Sequence, residues 1–165
     1  MRTYKLLSLI LVLGIGFSAC YDEDAIHTTK GDIPYELKEG GDEVDQYIYK
    51  FYQENGSIIM VDYEWNMSGL AKNVYLTKQE DRVVLMKGFS MLEKTFLNIY
   101  DTDFKKKYFP LKLLIGEQVG RMNWGVLEDN AALAGLSYLA LGKIREGVEN
   151  LSEEELRSIR ESTNG

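Results

Sequence analysis

The first twenty residues decide how much chain is left to fold. Met1 to Lys5 carry Arg2 and Lys5, the apolar run LLSLILVLGIGF follows, and small Ser18 and Ala19 lead into Cys20, the sole cysteine. A basic head, an apolar stretch and a small-residue end make up the layout of a cleavable signal peptide. The apolar run is shorter than the roughly 20 residues that a spanning helix needs, so residues 1–19 are read as a removable signal rather than a membrane span. A lone thiol closes no intramolecular disulfide, and whatever folds downstream does so without a covalent staple.

Phe17-Ser18-Ala19-Cys20 resembles the lipobox of bacterial lipoproteins, with Phe17 standing where Leu is usual. The resemblance implies that the Cys20 thiol is diacylated, that the peptide is cut before it and that the new amine is acylated. Three acyl chains, at about 0.8 kcal/mol per buried CH₂, exceed the single chain that anchors only marginally. Tyr21 follows the cysteine where the inner-membrane retention signal of enteric lipoproteins has Asp. Asp22, Glu23 and Asp24 resemble the export tag with which some Gram-negative bacteria display lipoproteins on their surface. The expected partner is therefore the membrane, through acylated Cys20, and the expected place the surface of the outer membrane. Read without the resemblance, the three acids form a solvated tether, and they lack the spacing of a calcium loop.

Removing residues 1–19 takes away Arg2 and Lys5 but no acid, which leaves 17 basic against 26 acidic side chains, a charge of about −9 in place of −7. Phosphate binding runs on clustered Lys and Arg, so nucleic acid is excluded as a partner. Lys105 to Lys107 are the one basic cluster, beside Phe104, Tyr108 and Phe109, and read as a helix end whose cations complement the dipole. Residues 20–41 are expected to be an acidic tether that ends near Gly40-Gly41. With 45% hydrophobic and 12% aromatic residues, the remaining 42–165 can build one core.

Within that domain, Asp42 caps DEVDQYIYKFYQENG, where Val44, Ile48, Phe51 and Tyr52 recur at helical spacing and Gly56 supplies a left-handed stop. SIIMVDYEWN, rich in β-branched and aromatic residues, predicts a strand that Ser68 and Gly69 break. Val84, Leu85, Leu92, Phe96 and Ile99 predict a long helix from about Glu80 to Tyr100 despite Gly88. LKLLIG predicts a buried strand, the Gly, Asn and Asp-bearing stretch 116–130 a loop, and AALAGLSYLALG either a strand or a short buried helix. In LSEEELRSIRESTNG, Ser152 and Glu155 form a capping box flanked by a Leu151–Leu156 staple. The fold class expected is α+β: one small domain of about three helices on a few mixed strands.

The order of these elements, with landmarks Tyr63, Trp65, Tyr100 and Pro110, resembles the amino-terminal part of zinc-binding metallopeptidase lipoproteins associated with outer-membrane substrate import in gut-type Gram-negative bacteria. The decisive motif of that family is His-Glu-x-x-His on a helix, two zinc ligands one turn apart with a glutamate to activate water. The chain has a single histidine, His27, in the tether, so no catalytic residue carries over and no metal ligand is assigned. The resemblance implies a front part that is inactive as it stands, zinc only if a catalytic half follows Gly165, and an outer-membrane import complex as partner. The alternative is a complete accessory lipoprotein that binds peptide or glycan.

For such binding, Asp62 and Glu64 sit at i and i+2 on one face of the VDYEWN segment with Trp65 beside them, a set suited to a cation or to sugar hydroxyls. Acids so placed also form the solvated face of a half-buried strand. Tyr47, Tyr49, Tyr52 and Tyr63 with Trp65 suggest an aromatic platform, although core packing is the commoner fate of such rings. Glu153, Glu154 and Glu155 read as acids at a helix start. The chain holds no Ser-His-acid set, no phosphate-binding glycine loop and no CxxC.

Overall fold

The computed structural model describes residues 35–64, 70 and 72–164. Cys20, His27 and Trp65 therefore lie outside the described residues, as do Asp22 to Asp24, Ser68 and Gly69. Among the described residues, four α-helices and seven strands, in one mixed and one antiparallel sheet, make the domain α+β, as its sequence predicts.

Helix α1 (Glu43–Asn55) begins where Asp42 accepts from the Asp45 amide and ends at Gly56, whose φ of 77° lets its N–H return to the Tyr52 carbonyl. Val44, Ile48 and Phe51 are its buried stripe. The next segment pairs over Ile58–Met60 only, as strand β1. Beyond it, exposure still alternates, with Val61 and Tyr63 buried and Asp62 and Glu64 exposed, but no ladder holds that stretch. Of the predicted ten-residue strand, Trp65 and Asn66 lie outside the described residues, and among the other eight only three pair, because the ladder with the neighbouring strand ends at Met60.

Strand β2 (Val74–Thr77) leads to helix α2 (Arg82–Thr95), capped by Asp81, which accepts from the amides of Val83 and Val84. The helix stops earlier than predicted. Phe96, at φ −140° and ψ −61°, leaves helical geometry, and a 3₁₀ turn over Leu97–Ile99 follows. This break turns Ile99 outward, 49% exposed, whereas Val84, Leu85, Leu92 and Phe96 are buried as the spacing demands. Helix α3 (Thr102–Tyr108) then carries Lys105, Lys106 and Lys107 in its last turn, where cations complement the dipole.

Strand β3 (Lys112–Ile115) is the centre of a four-stranded sheet of order β1-β3-β7-β6, parallel to β1 and to β7 (Tyr138–Leu141), while β6 (Ala132–Ala134) runs antiparallel at the edge. AALAGLSYLALG is thus two strands rather than one element. The predicted loop at 116–130 is instead a hairpin, β4 (Gln118–Asn123) and β5 (Val126–Asn130), which joins β2 in a second, antiparallel sheet of order β2-β4-β5. Trp124 and Gly125 form its two-residue turn, both left-handed at φ 51° and 81°, with Trp124 wholly in solvent. Few of its positions are buried, so its composition reads as loop. Strand character here comes from cross-strand pairing, not from an apolar face.

Helix α4 (Glu153–Asn164) starts at the capping box: Glu155 accepts from the Ser152 amide and hydroxyl, and the Glu155 amide donates to the Ser152 hydroxyl. Leu151 and Leu156 pack on the core as the staple predicts, yet Ile159 is the helix's one buried residue. One face of the large sheet, with Ile59, Leu113, Ile115 and Leu141, joins α1, α2 and Ile159 in a single apolar cluster. The opposite face, with Ile58, Met60, Leu114 and Ala140, is equally dry.

Gly88 marks the tightest point of this core. A Cβ there would lie 2.3 Å from Cγ2 of Ile144, a methyl on the branched Cβ of a fully buried side chain. Alanine gains about 1 kcal/mol of helix propensity, but overpacking typically costs 1–3 kcal/mol, so Gly88→Ala is expected to destabilise the domain by about 1 kcal/mol. In an Ile144→Ala background the same change is expected to stabilise. A double-mutant cycle in urea reads the reversal of sign.

Candidate functional site

Arg82 occupies the first turn of α2, where a cation opposes the helix dipole. Its placement is explained by three carboxylates. Nε lies 2.8 Å from Asp42 Oδ2, Nη2 2.9 Å from Asp45 Oδ1 and Nη1 3.0 Å from Asp62 Oδ2. The first two come from the start of α1 and the third from the stretch after β1, so one guanidinium ties three segments together where the parallel strands end. The Nη1 contact is an ion pair without hydrogen-bond alignment. Burial disfavours the charge on Arg82, but Asp62, Asp45 and Asp42 outweigh it and hold the guanidinium more firmly protonated than usual. The Asp42 carboxyl is held below its ordinary range, first by the Asp45 amide and then, against a smaller burial effect, by Arg82.

Asp62 is thus engaged inside the domain. Glu64 is exposed two residues on, and no described contact brings it to the Arg82 cluster. Among the described residues no group of three or more His, Cys, Asp or Glu is arranged to hold a metal, and the acids around Arg82 already share its cation.

The tyrosines do not form a platform. Tyr47 stacks on Phe89 at 4.5 Å and donates to Glu93 Oε1 at 2.9 Å, and burial, followed by that carboxylate, raises its pKa. Tyr63 is buried, its pKa raised by burial alone, and its hydroxyl has no partner among the described residues. Tyr49 and Tyr52 are half-buried on α1. Beside Tyr47, a cleft of about 140 Å³ is lined by Lys50, Glu54, Asn55, Glu93 and Lys105 among others. Ligand pockets usually run to about 300–1,000 Å³, so this one suits only a small polar group.

The feature that sequence reasoning missed is the edge of β6. Gly142 N–H donates to the Ala131 carbonyl and Gly135 N–H to the Tyr138 carbonyl, both at 2.9 Å, and Leu133 lies opposite Ala140. Bonded pairs alternate along an antiparallel ladder, so Ala132 and Ala134 turn their N–H and C=O groups away from β7. Those groups have no partner among the described residues. Ala134 is exposed, and small side chains flank the edge. An unpaired strand edge is a template for another extended backbone.

No family model matches the chain, and neither a curated protein nor a solved structure matches it. Among the described residues no helix is long and apolar enough to cross a membrane.

Replacing Arg82 by Met should leave three carboxylates facing one another and lower Tm by about 3–8 °C at pH 7. The Asp42 pKa is depressed on folding, so its stabilising contribution is complete above the unfolded value and is lost as pH falls through the folded one. The gap between Arg82→Met and the parent is therefore expected to narrow below about pH 4, as thermal melts across pH 3–7 would read.

Proposed function

We propose that the chain is a lipoprotein held on the outer membrane through acylated Cys20, and that its domain captures extended peptide without cleaving it. In this reading the domain corresponds to the non-catalytic front part of the zinc metallopeptidase lipoproteins that its sequence resembles, and it serves an import complex at the cell surface. The observation that carries peptide capture is the edge of β6, where Ala132 and Ala134 offer outward N–H and C=O groups at the antiparallel border of a mixed sheet. A guest strand pairing there gains main-chain hydrogen bonds with little regard to its sequence. The single histidine of the chain supports a role without zinc chemistry.

Two measurements test the parts separately. Radiolabelled palmitate is expected to enter the parent chain and not Cys20→Ala, and label in the variant overturns the anchor. For the edge, Ala134→Pro removes one outward donor and leaves the β6–β7 ladder intact, since proline is tolerated on edge strands. Affinity for a panel of unstructured peptides should drop up to about ten-fold, the order of one net hydrogen bond, with Tm little changed. Peptide binding that is indifferent to Ala134→Pro, or absent from the parent chain, overturns the edge as the capture site. One equivalent of zinc that survives dialysis against a weak chelator contradicts the non-catalytic reading.

A further inference from the structure

The two ends of the large sheet differ in chemistry. Arg82 and its aspartates mark the end where the parallel strands finish, and α2 starts there. Helix α4 ends beside the end of α2, because the Asn164 side chain donates to the Thr95 carbonyl and accepts from the Tyr100 hydroxyl. Its acidic start, Glu153 to Glu155, is therefore directed toward the Arg82 end.

At the opposite end the strands begin. Lys112 pairs with Ile58 on one side and Tyr138 on the other, which sets Leu111 and the β6–β7 turn bearing Leu136 at the same border. Leu136 is 109% exposed, and Tyr108 is 61% exposed on the last turn of α3. Tyr108 continues a row of rings, Tyr100 on Phe104 and Phe104 on Tyr108, each 4.9 Å apart. Lys106 and Lys107 are exposed beside it, the Lys107 ammonium 5.3 Å from the Tyr108 ring centre. Asp101 and Asp103 lie at the start of α3, and the Asp101 carboxylate is engaged by the Phe104 amide.

We infer that this end, with Tyr108, Leu111 and Leu136 as apolar contacts and Lys106 and Lys107 as cations, is a docking surface for an anionic lipid bilayer. The inference rests on the anchoring at Cys20 proposed above. Aromatic and aliphatic tips flanked by lysines suit the headgroup layer, where rings sit at the interface and lysine stems lie along apolar surface with their ammonium groups in water. An anionic leaflet attracts this end and repels the acids at the other, so the domain settles with the Arg82 cluster facing away.

The full chain would be reconstituted in phosphatidylcholine vesicles, with and without phosphatidylglycerol, and treated with a bulky water-soluble amine reagent. Labelled lysines are then located by mass spectrometry. Lys106 and Lys107 are expected to react about ten-fold more slowly on the anionic vesicles, while Lys87 and Lys143 keep their rates. Leu136→Glu should restore most of the reactivity at Lys106 and Lys107 without altering the near-ultraviolet circular dichroism. Equal reactivity on both vesicles, with the chain still floating with the lipid, overturns the docking surface and leaves the anchor standing. Protection of equal size on neutral vesicles indicates association between copies and also overturns it. A chain that fails to float with either vesicle overturns the anchor and this inference with it.

Discussion

Strand β3 exchanges backbone hydrogen bonds with β1 on one side and β7 on the other, while Leu113, Leu114 and Ile115 show almost no surface to water. Buried N–H and C=O groups cost far more unpaired than they return when paired, so neither neighbour can leave without exposing the strand to that penalty. The helices are placed by the same strand. Leu113 and Ile115 face the cluster that α1 and α2 fill and that Ile159 of α4 joins.

Arg82 secures this arrangement from outside the core. It joins the beginnings of α1 and α2 to the stretch after β1, and so fixes where both helices start relative to the strands' end. Isolated surface ion pairs contribute little, but one guanidinium shared among two carboxylates at the start of α1 and a third after β1 holds a geometry that no single pair would. The lysines and rings of α3 lie at the other end. The two ends of the large sheet therefore carry unlike chemistry.

Legibility in the sequence followed locality. The limits of α1 and the capping box of α4 were readable because caps are local: Asp42, Gly56, Ser152 and Glu155 act within a few residues of themselves. The stop of α2 was not, since Phe96 leaves the helix to bury its ring against Phe109 at 5.3 Å, a tertiary demand. The β4–β5 hairpin was hidden for the opposite reason. Its pairing is local, but its exposed faces imitate a loop, and the Asn-Trp-Gly turn places a tryptophan where Asn or Gly is usual. As for the site, the alternation of the VDYEWN segment presents Asp62 as a ligand-facing acid, while nothing in that segment points to its partner Arg82. A cation in the first turn of a helix was the available sign of an acidic neighbour. The β6 edge had no such sign: Ala132-Leu133-Ala134 lies in a short apolar run that fits a strand or a buried helix equally well, and nothing in it marks an unpaired edge.

The pairing of β1 has a consequence for the order of events during synthesis. Ile58, Ile59 and Met60 emerge early, directly after α1, yet their ladder partners are Lys112, Leu113 and Leu114. Until those arrive the segment has no sheet to join, and its apolar, β-prone backbone resembles the short stretches that seed cross-β aggregation. Pairing over such a separation also makes folding slow relative to helix formation. The apolar face of β1 therefore stays uncovered until β3 becomes available to pair with it.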